Sequence, residues 1–243
     1  YTRSLHDALP IWKLYLDERE SFYKVLLGQY VIVPEGKWDW QWLHLLIRLA
    51  ETRIAEDPKS VGHIDQPLTA MEINHTTNSM VVEFVAELRR FKQNVFALVD
   101  GDQAGRDKVR QIIRMEASSR PKAIIQYGNE GEVEDLVAWM LEPALNSPGT
   151  VLSALLSDKA KPWGIQTLRE RLKEKTYKDD WELHENLAWE AYDYPECLDR
   201  VTSFLYDLSN ICNGNDPKIN GWGIASLGDD QIKHYTAGFI QGA

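Results

Sequence analysis

Three short apolar runs, each breaking off at or just before carboxylates, constrain this chain more than any other feature. Residues 30–33 (YVIV) run into Pro34-Glu35-Gly36, and residues 95–99 (VFALV) run into Asp100-Gly101-Asp102. Residues 122–127 (KAIIQY) lead through a short loop to Glu132, Glu134 and Asp135. Runs of this length, rich in β-branched residues, suit strands buried on both faces of a parallel sheet. Helical patterns separate them. The first carries Trp42, Leu45, Leu46, Leu49 and Ala50 on one face and ends at Asp57-Pro58. The second covers 80–91, with Val81, Val82, Phe84, Val85 and Leu88 as its stripe; further helices are expected over 104–115 and 132–141. Another strand is expected around 61–64 or 68–73. Alternation of this kind over 30–142 predicts an α/β fold, a parallel sheet with helices on both faces.

Beyond Pro148-Gly149 the pattern changes. Residues 150–212 read as wholly helical, with a charged run over 169–180 and an amphipathic stretch over 198–211. Glycine and asparagine then predict a loop over 213–228, followed by a short terminal helix. The expected organisation is a connector helix over 12–29, a catalytic domain over 30–148 and a helical C-terminal region over 149–243. The first eleven residues, YTRSLHDALPI, contain a string that resembles an in-frame translation of a common sequencing adapter. Residues 1–11 are therefore set aside as a scar, and upstream sequence is expected to be missing.

Composition narrows the function classes. The net charge is −10 over 243 residues, which argues against a free-standing, sequence-neutral DNA binder, because phosphate affinity comes largely from lysine and arginine. It does not argue against a metal-dependent nuclease, whose bound cations offset its own carboxylates. Cys197 and Cys212 form no CxxC pattern, so a reduced, cytoplasmic chain is expected, without a structural zinc site. No apolar run reaches the roughly 18 residues needed to span a bilayer. The nine tryptophans and ten tyrosines are read as core and interface filling.

The carboxylates carry the chemistry. In an open parallel sheet, ligands collect at the carboxyl ends of the strands, and all three acidic groups fall there. Asp100 and Asp102 are two apart, so on extended backbone they point the same way, with Gly101 leaving room between them. Two carboxylates at that spacing repel unless a cation joins them, and hard oxygen-rich sites favour Mg²⁺ or Mn²⁺. A lone DGD or PEG tripeptide is more often a turn. The ordered combination of strand–EG–helix, strand–DGDxxG–helix and strand–loop–acidic helix start is more specific.

These residues resemble the TOPRIM domain, whose first motif is a glutamate after a hydrophobic strand and whose second is a DxD closing a later strand. Here they read YVIVPEGKWD and VFALVDGDQAGRD, with Pro34 where the family commonly has valine. The resemblance covers roughly residues 25–145. The motif order is similar to that of the OLD (overcoming lysogenization defect) nucleases, in which an ATPase domain precedes the TOPRIM domain. That likeness implies a Rossmann-like TOPRIM sheet and two divalent ions held by Glu35, Asp39, Asp100, Asp102, Glu134 and Asp135. It also implies hydrolysis of DNA, homo-oligomers and an ATPase domain or subunit absent from this chain, which has no Walker motif GxxxxGK[ST]. The family uses a lysine beyond the sheet, and position makes Lys159 and Lys161 the candidates. An anti-phage or DNA-processing role follows as an expectation.

Two other readings stay open at this level. DGDQAGR also resembles the DGDxAGR of bacterial primases, although a primase has an aspartate-proline-aspartate motif where this chain has GEVEDLV. A non-catalytic module could keep the fold as an interaction surface.

Overall fold

A computed structural model describes residues 28–57, 71–73, 80–147, 150–228 and 231–240. The expected connector helix over 12–29 lies almost wholly outside them, as do the first eleven residues and the possible strand at 61–64. Five strands run parallel: β1 (Tyr30–Pro34), β2 (Met71–Ile73), β3 (Val95–Val99), β4 (Ala123–Tyr127) and β6 (Ile232–Ala237). A sixth, β5 (Trp222–Leu227), pairs antiparallel to β6 at the edge, and the order across the sheet is β2-β1-β3-β4-β6-β5.

Side-chain alternation along each strand builds two cores. Ile32, Phe96, Leu98, Ile125 and Tyr127 face one side. There they meet α1 (Lys37–Glu56), through Trp42, Leu46 and Leu49, and α4 (Val133–Leu141), through Leu136 and Met140. Val31, Val33, Val95, Ala97, Val99 and Ile124 face the other side. That side is covered by α2 (Val81–Leu88), with Val81, Phe84, Val85 and Leu88, and by α3 (Gln103–Arg114), with Val109 and Ile112. Both faces of β1 and β3 are therefore dry, which is why their sequences read as continuous apolar runs. Pro34 sits at the last position of β1, where a missing ladder donor is tolerated.

After α4 the chain builds a helical layer on the first face. It comprises α5 (Val151–Leu155), α6 (Ile165–Lys173), α7 (Lys175–Lys178), α8 (Trp181–Asp193) and α9 (Pro195–Cys212). Leu152, Leu168, Leu187, Val201, Phe204 and Leu208 join the core begun by α1 and α4. Both cysteines are free and buried on α9. Among the described residues, no helix is long and apolar enough to cross a membrane.

The chain end departs from expectation. Part of the stretch read as loop is strand β5, and the residues read as a terminal helix include β6, which completes the sheet beside β4. WGIASL and IKHYTA lack a clean polar–apolar alternation; β6 is placed by pairing with β4, and β5 by pairing with β6. A buried carboxylate fixes the approach. Asp207 of α9 accepts hydrogen bonds from the backbone N–H groups of Lys218, Ile219 and Asn220 (2.7, 3.0 and 2.8 Å), from Asn220 Nδ2 (2.9 Å) and from Trp222 Nε1 (3.0 Å). The Trp222 ring then stacks on Phe204 at 6.2 Å and meets Phe239 edge-on at 5.5 Å.

Asp207→Ala removes the buried acceptor of five hydrogen bonds at once. It should cost about 3 kcal/mol of unfolding free energy in urea titrations, with faster proteolysis between α9 and β5. A loss below about 1 kcal/mol would show that the hairpin docks by other means.

Candidate functional site

The strand order reverses direction between β1 and β3. From β1 the chain moves outward to β2, then returns past β1 to β3 and onward to β4. Helices α1 and α3 leave these two neighbouring strands toward opposite faces, which opens a crevice at their carboxyl ends. Glu35 directly follows β1 and Asp100 directly follows β3 at that crevice. The Asp100 backbone N–H donates to Glu35 Oε2 at 3.1 Å, joining the two strand ends directly.

Gly101 keeps the crevice narrow. Its N–H donates to Gly131 O at 2.7 Å and its carbonyl accepts from Glu130 N at 3.1 Å, so the loop after β3 lies against the loop after β4. A Cβ at Gly101 would fall 1.6 Å from Gly128 O, so only glycine fits. Gln126 adds a side-chain tie, its Nε2 donating to the Asp100 carbonyl at 2.9 Å while its Oε1 faces His234 Nε2 at 3.0 Å. Asp102 caps α3, its Oδ1 accepting from Gly105 N at 2.7 Å.

The first turn of α1 brings Asp39 to the same place. It is buried, and accepts from Tyr127 OH at 3.0 Å and Gly36 N at 3.2 Å. Helix α4 supplies Glu134, also buried, and Asp135, fully buried. Burial, then the charges of Glu134 and Glu35, push the Asp39 carboxyl up to about 7, although its two hydrogen bonds pull the other way. Asp100, enclosed by protein apart from some contact with solvent, is raised well above the usual carboxylate range. Desolvation is the main cause, followed by Asp39, Glu35, Glu132 and Asp102. Burial also raises Glu134 despite its lysine partner. Six carboxylates thus act on one another: Glu35, Asp39, Asp100, Asp102, Glu132 and Glu134.

The chain's own cations answer part of this charge. Lys108 of α3 pairs with Glu35 Oε1. Lys178 of α7 lies 2.8 Å from Glu134 Oε1 and 3.5 Å from Glu132 Oε2, and Asp100 also acts on it. Lys173 of α6 reaches Asp135 Oδ2 at 2.9 Å, and Arg169 stands 3.5 Å from Asp135 Oδ1. Asp135 also accepts from Glu132 N at 2.9 Å, capping α4. Its neighbours are thus a helix cap and two cations, not the crevice acids.

Of the six acids named as ligands from sequence, the fold gathers Glu35, Asp39, Asp100, Asp102 and Glu134, and ties Asp135 into the ion pairs with α6. Lys161 rests its ammonium 4.2 Å over the Trp163 ring, and Lys159 lies in the turn after α5. Lys108, Tyr127, Glu132, Lys173 and Lys178 were not singled out as site residues. Tyr127 reads as an ordinary strand residue, and Lys178 as one charge in a charged run. Only the helical layer's packing brings that run to α4.

The donor set suits a hard divalent cation. Glu134 Oε2 is buried with no hydrogen-bond partner, and Asp39, Asp100 and Glu134 all carry anionic charge at a cost that protein donors do not remove. Among the described residues, however, no three such side chains already surround a common point as a metal would need. Glu35 is held by Lys108, Asp102 by its helix cap and Glu134 by Lys178, so these side chains would have to rearrange to bind a metal.

The Asp39 shift has a stability consequence. Its folded-state pKa lies above the unfolded value, so its contribution is fully present below about pH 4 and is lost as pH rises through about 7. Asp39→Asn should therefore melt a few degrees higher than wild type at pH 8, with the difference vanishing toward pH 4. Melting curves across that range check it; a gap that is constant with pH would contradict the shift. Comparison with family models, with curated proteins and with solved structures gave no match, so this site is read from its own geometry.

Proposed function

We propose that this chain is a Mg²⁺- or Mn²⁺-dependent DNA endonuclease of the TOPRIM type. The single observation that carries this reading is the convergence of Glu35, Asp39, Asp100 and Glu134 at the switch point of the sheet, mutually repelling and largely shut away from water. A structural role alone gives no reason to concentrate charge there, since buried carboxylates without full compensation destabilise a fold.

Glu35, Asp39, Asp100, Asp102 and Glu134 would hold the ions, with Asp135 orienting the start of α4. Bound divalent ions would supply an activated water at neutral pH and charge neutralisation at the scissile phosphate. The protein's own groups prepare the site. Tyr127 OH and Gly36 N–H fix the Asp39 carboxylate, and Gln126 anchors the Asp100 main chain. Lys178 places an ammonium beside Glu134, where it can meet developing negative charge on a phosphate. Among lysines beyond the sheet it is better placed for this than Lys159 or Lys161. DNA as substrate, an ATPase partner, homo-oligomers and a place in an OLD-like anti-phage or DNA-processing system rest on the motif likeness in YVIVPEGKWD and VFALVDGDQAGRD.

A supercoiled-plasmid assay tests this. Wild type should give nicked or linear DNA with Mg²⁺ or Mn²⁺ and none in EDTA. Glu35→Ala and Asp100→Ala should each lower the rate by about 100-fold or more. Lys178→Ala should lower kcat further than Lys159→Ala or Lys161→Ala. Wild type that cuts nothing with any divalent metal, or acid variants that cut as well as wild type, would refute the nuclease assignment.

A further inference from the structure

Both carboxylate oxygens of Glu35 are engaged by the chain itself. Its Oε2 accepts the Asp100 N–H, and its Oε1 is ion-paired with Lys108. The two side chains are only 5% and 13% exposed, so this is a nearly dry ion pair beside the proposed metal site. The two donors differ in kind. The Asp100 N–H is fixed by the end of β3, whereas the Lys108 ammonium sits on a flexible four-carbon stem that leaves α3 on the side away from Asp39 and Glu134. Lys173 and Lys178 serve the acids of α4 and do not duplicate this role.

A dry carboxylate needs an opposite charge close by, and removing that charge is costly. Lys108 meets the need without any ion. A divalent cation meets it too, and its double charge would repel an ammonium held on the same carboxylate. We propose that Lys108 is a displaceable internal counter-ion: it neutralises Glu35 in the metal-free protein, and a divalent ion arriving at Glu35 releases its ammonium to face the nucleic-acid phosphate. The inference rests on the metal-dependent reading above and assigns Lys108 two positions in one cycle. It accounts for an acid at a catalytic strand end that is held by a lysine, and it couples metal loading to the appearance of a phosphate-binding cation.

Mn²⁺ titration calorimetry on wild type, Lys108→Met and Lys108→Arg, paired with acetylation footprinting of wild type by mass spectrometry, tests it. Lys108→Met should bind Mn²⁺ at least about tenfold more tightly than wild type, because no ammonium competes; Lys108→Arg should stay near wild type. Lys108 should be protected from acetylation without metal and become reactive when Mn²⁺ saturates. The footprint needs no variant, so it decides the matter even if Lys108→Met fails to fold. Mn²⁺ that binds wild type while Lys108 stays protected would overturn the counter-ion role and leave the nuclease reading standing. Mn²⁺ that binds none of these proteins would overturn the metal reading and this inference with it.

Discussion

The carboxyl ends of β3 and β4 lie against each other through main-chain contact at Gly101, and the geometry of the crevice depends on it. Two backbone hydrogen bonds join this residue to Glu130 and Gly131, at a separation where a Cβ has no room. Held this way, the loop after β3 cannot relax outward. Asp100 is consequently kept near Glu35, Asp39 and Glu132 at an electrostatic cost visible in its raised carboxyl. Gln126, Tyr127 and the Asp102 cap reinforce the same constraint from β4 and α3.

Charge balance is then settled from two directions. Helix α3 contributes Lys108 on one face of the sheet, and the helical layer contributes Lys173, Lys178 and Arg169 on the other. The layer after α4 is therefore more than a cover for apolar surface. Its α6–α7 segment carries three cations to the acidic start of α4, linking the packing of Leu168 and Leu172 to the electrostatics of the crevice. These cations leave the buried oxygen of Glu134 unsatisfied and Asp39 still strained toward protonation.

Much of the sheet was legible because burial on both faces leaves a direct mark on sequence. VFALV is the observed β3 residue for residue, and YVIV falls one short of β1 because Pro34 completes the strand. The acids at the strand ends could be named for the same reason: an apolar run that stops at a carboxylate marks where a chain leaves a dry sheet. The hairpin β5–β6 was not legible. Its residues alternate polar and apolar weakly; β6 becomes a strand by pairing with β4, and β5 by pairing with β6 after an approach anchored by Asp207, with β4 and Asp207 remote in sequence. The same holds for Lys178 and Lys108. A lysine in a charged run or on a helix gives no local sign of which distant carboxylate it will meet.

Anomalous diffraction from crystals grown with Mn²⁺ tests most directly whether these acids form a divalent-cation site. Manganese peaks are expected in the crevice between the ends of β1 and β3, with carboxylate oxygens of Glu35, Asp39, Asp100 or Glu134 as ligands. A crevice without manganese at saturating concentration, with Lys108 and Lys178 still paired to Glu35 and Glu134, would contradict it.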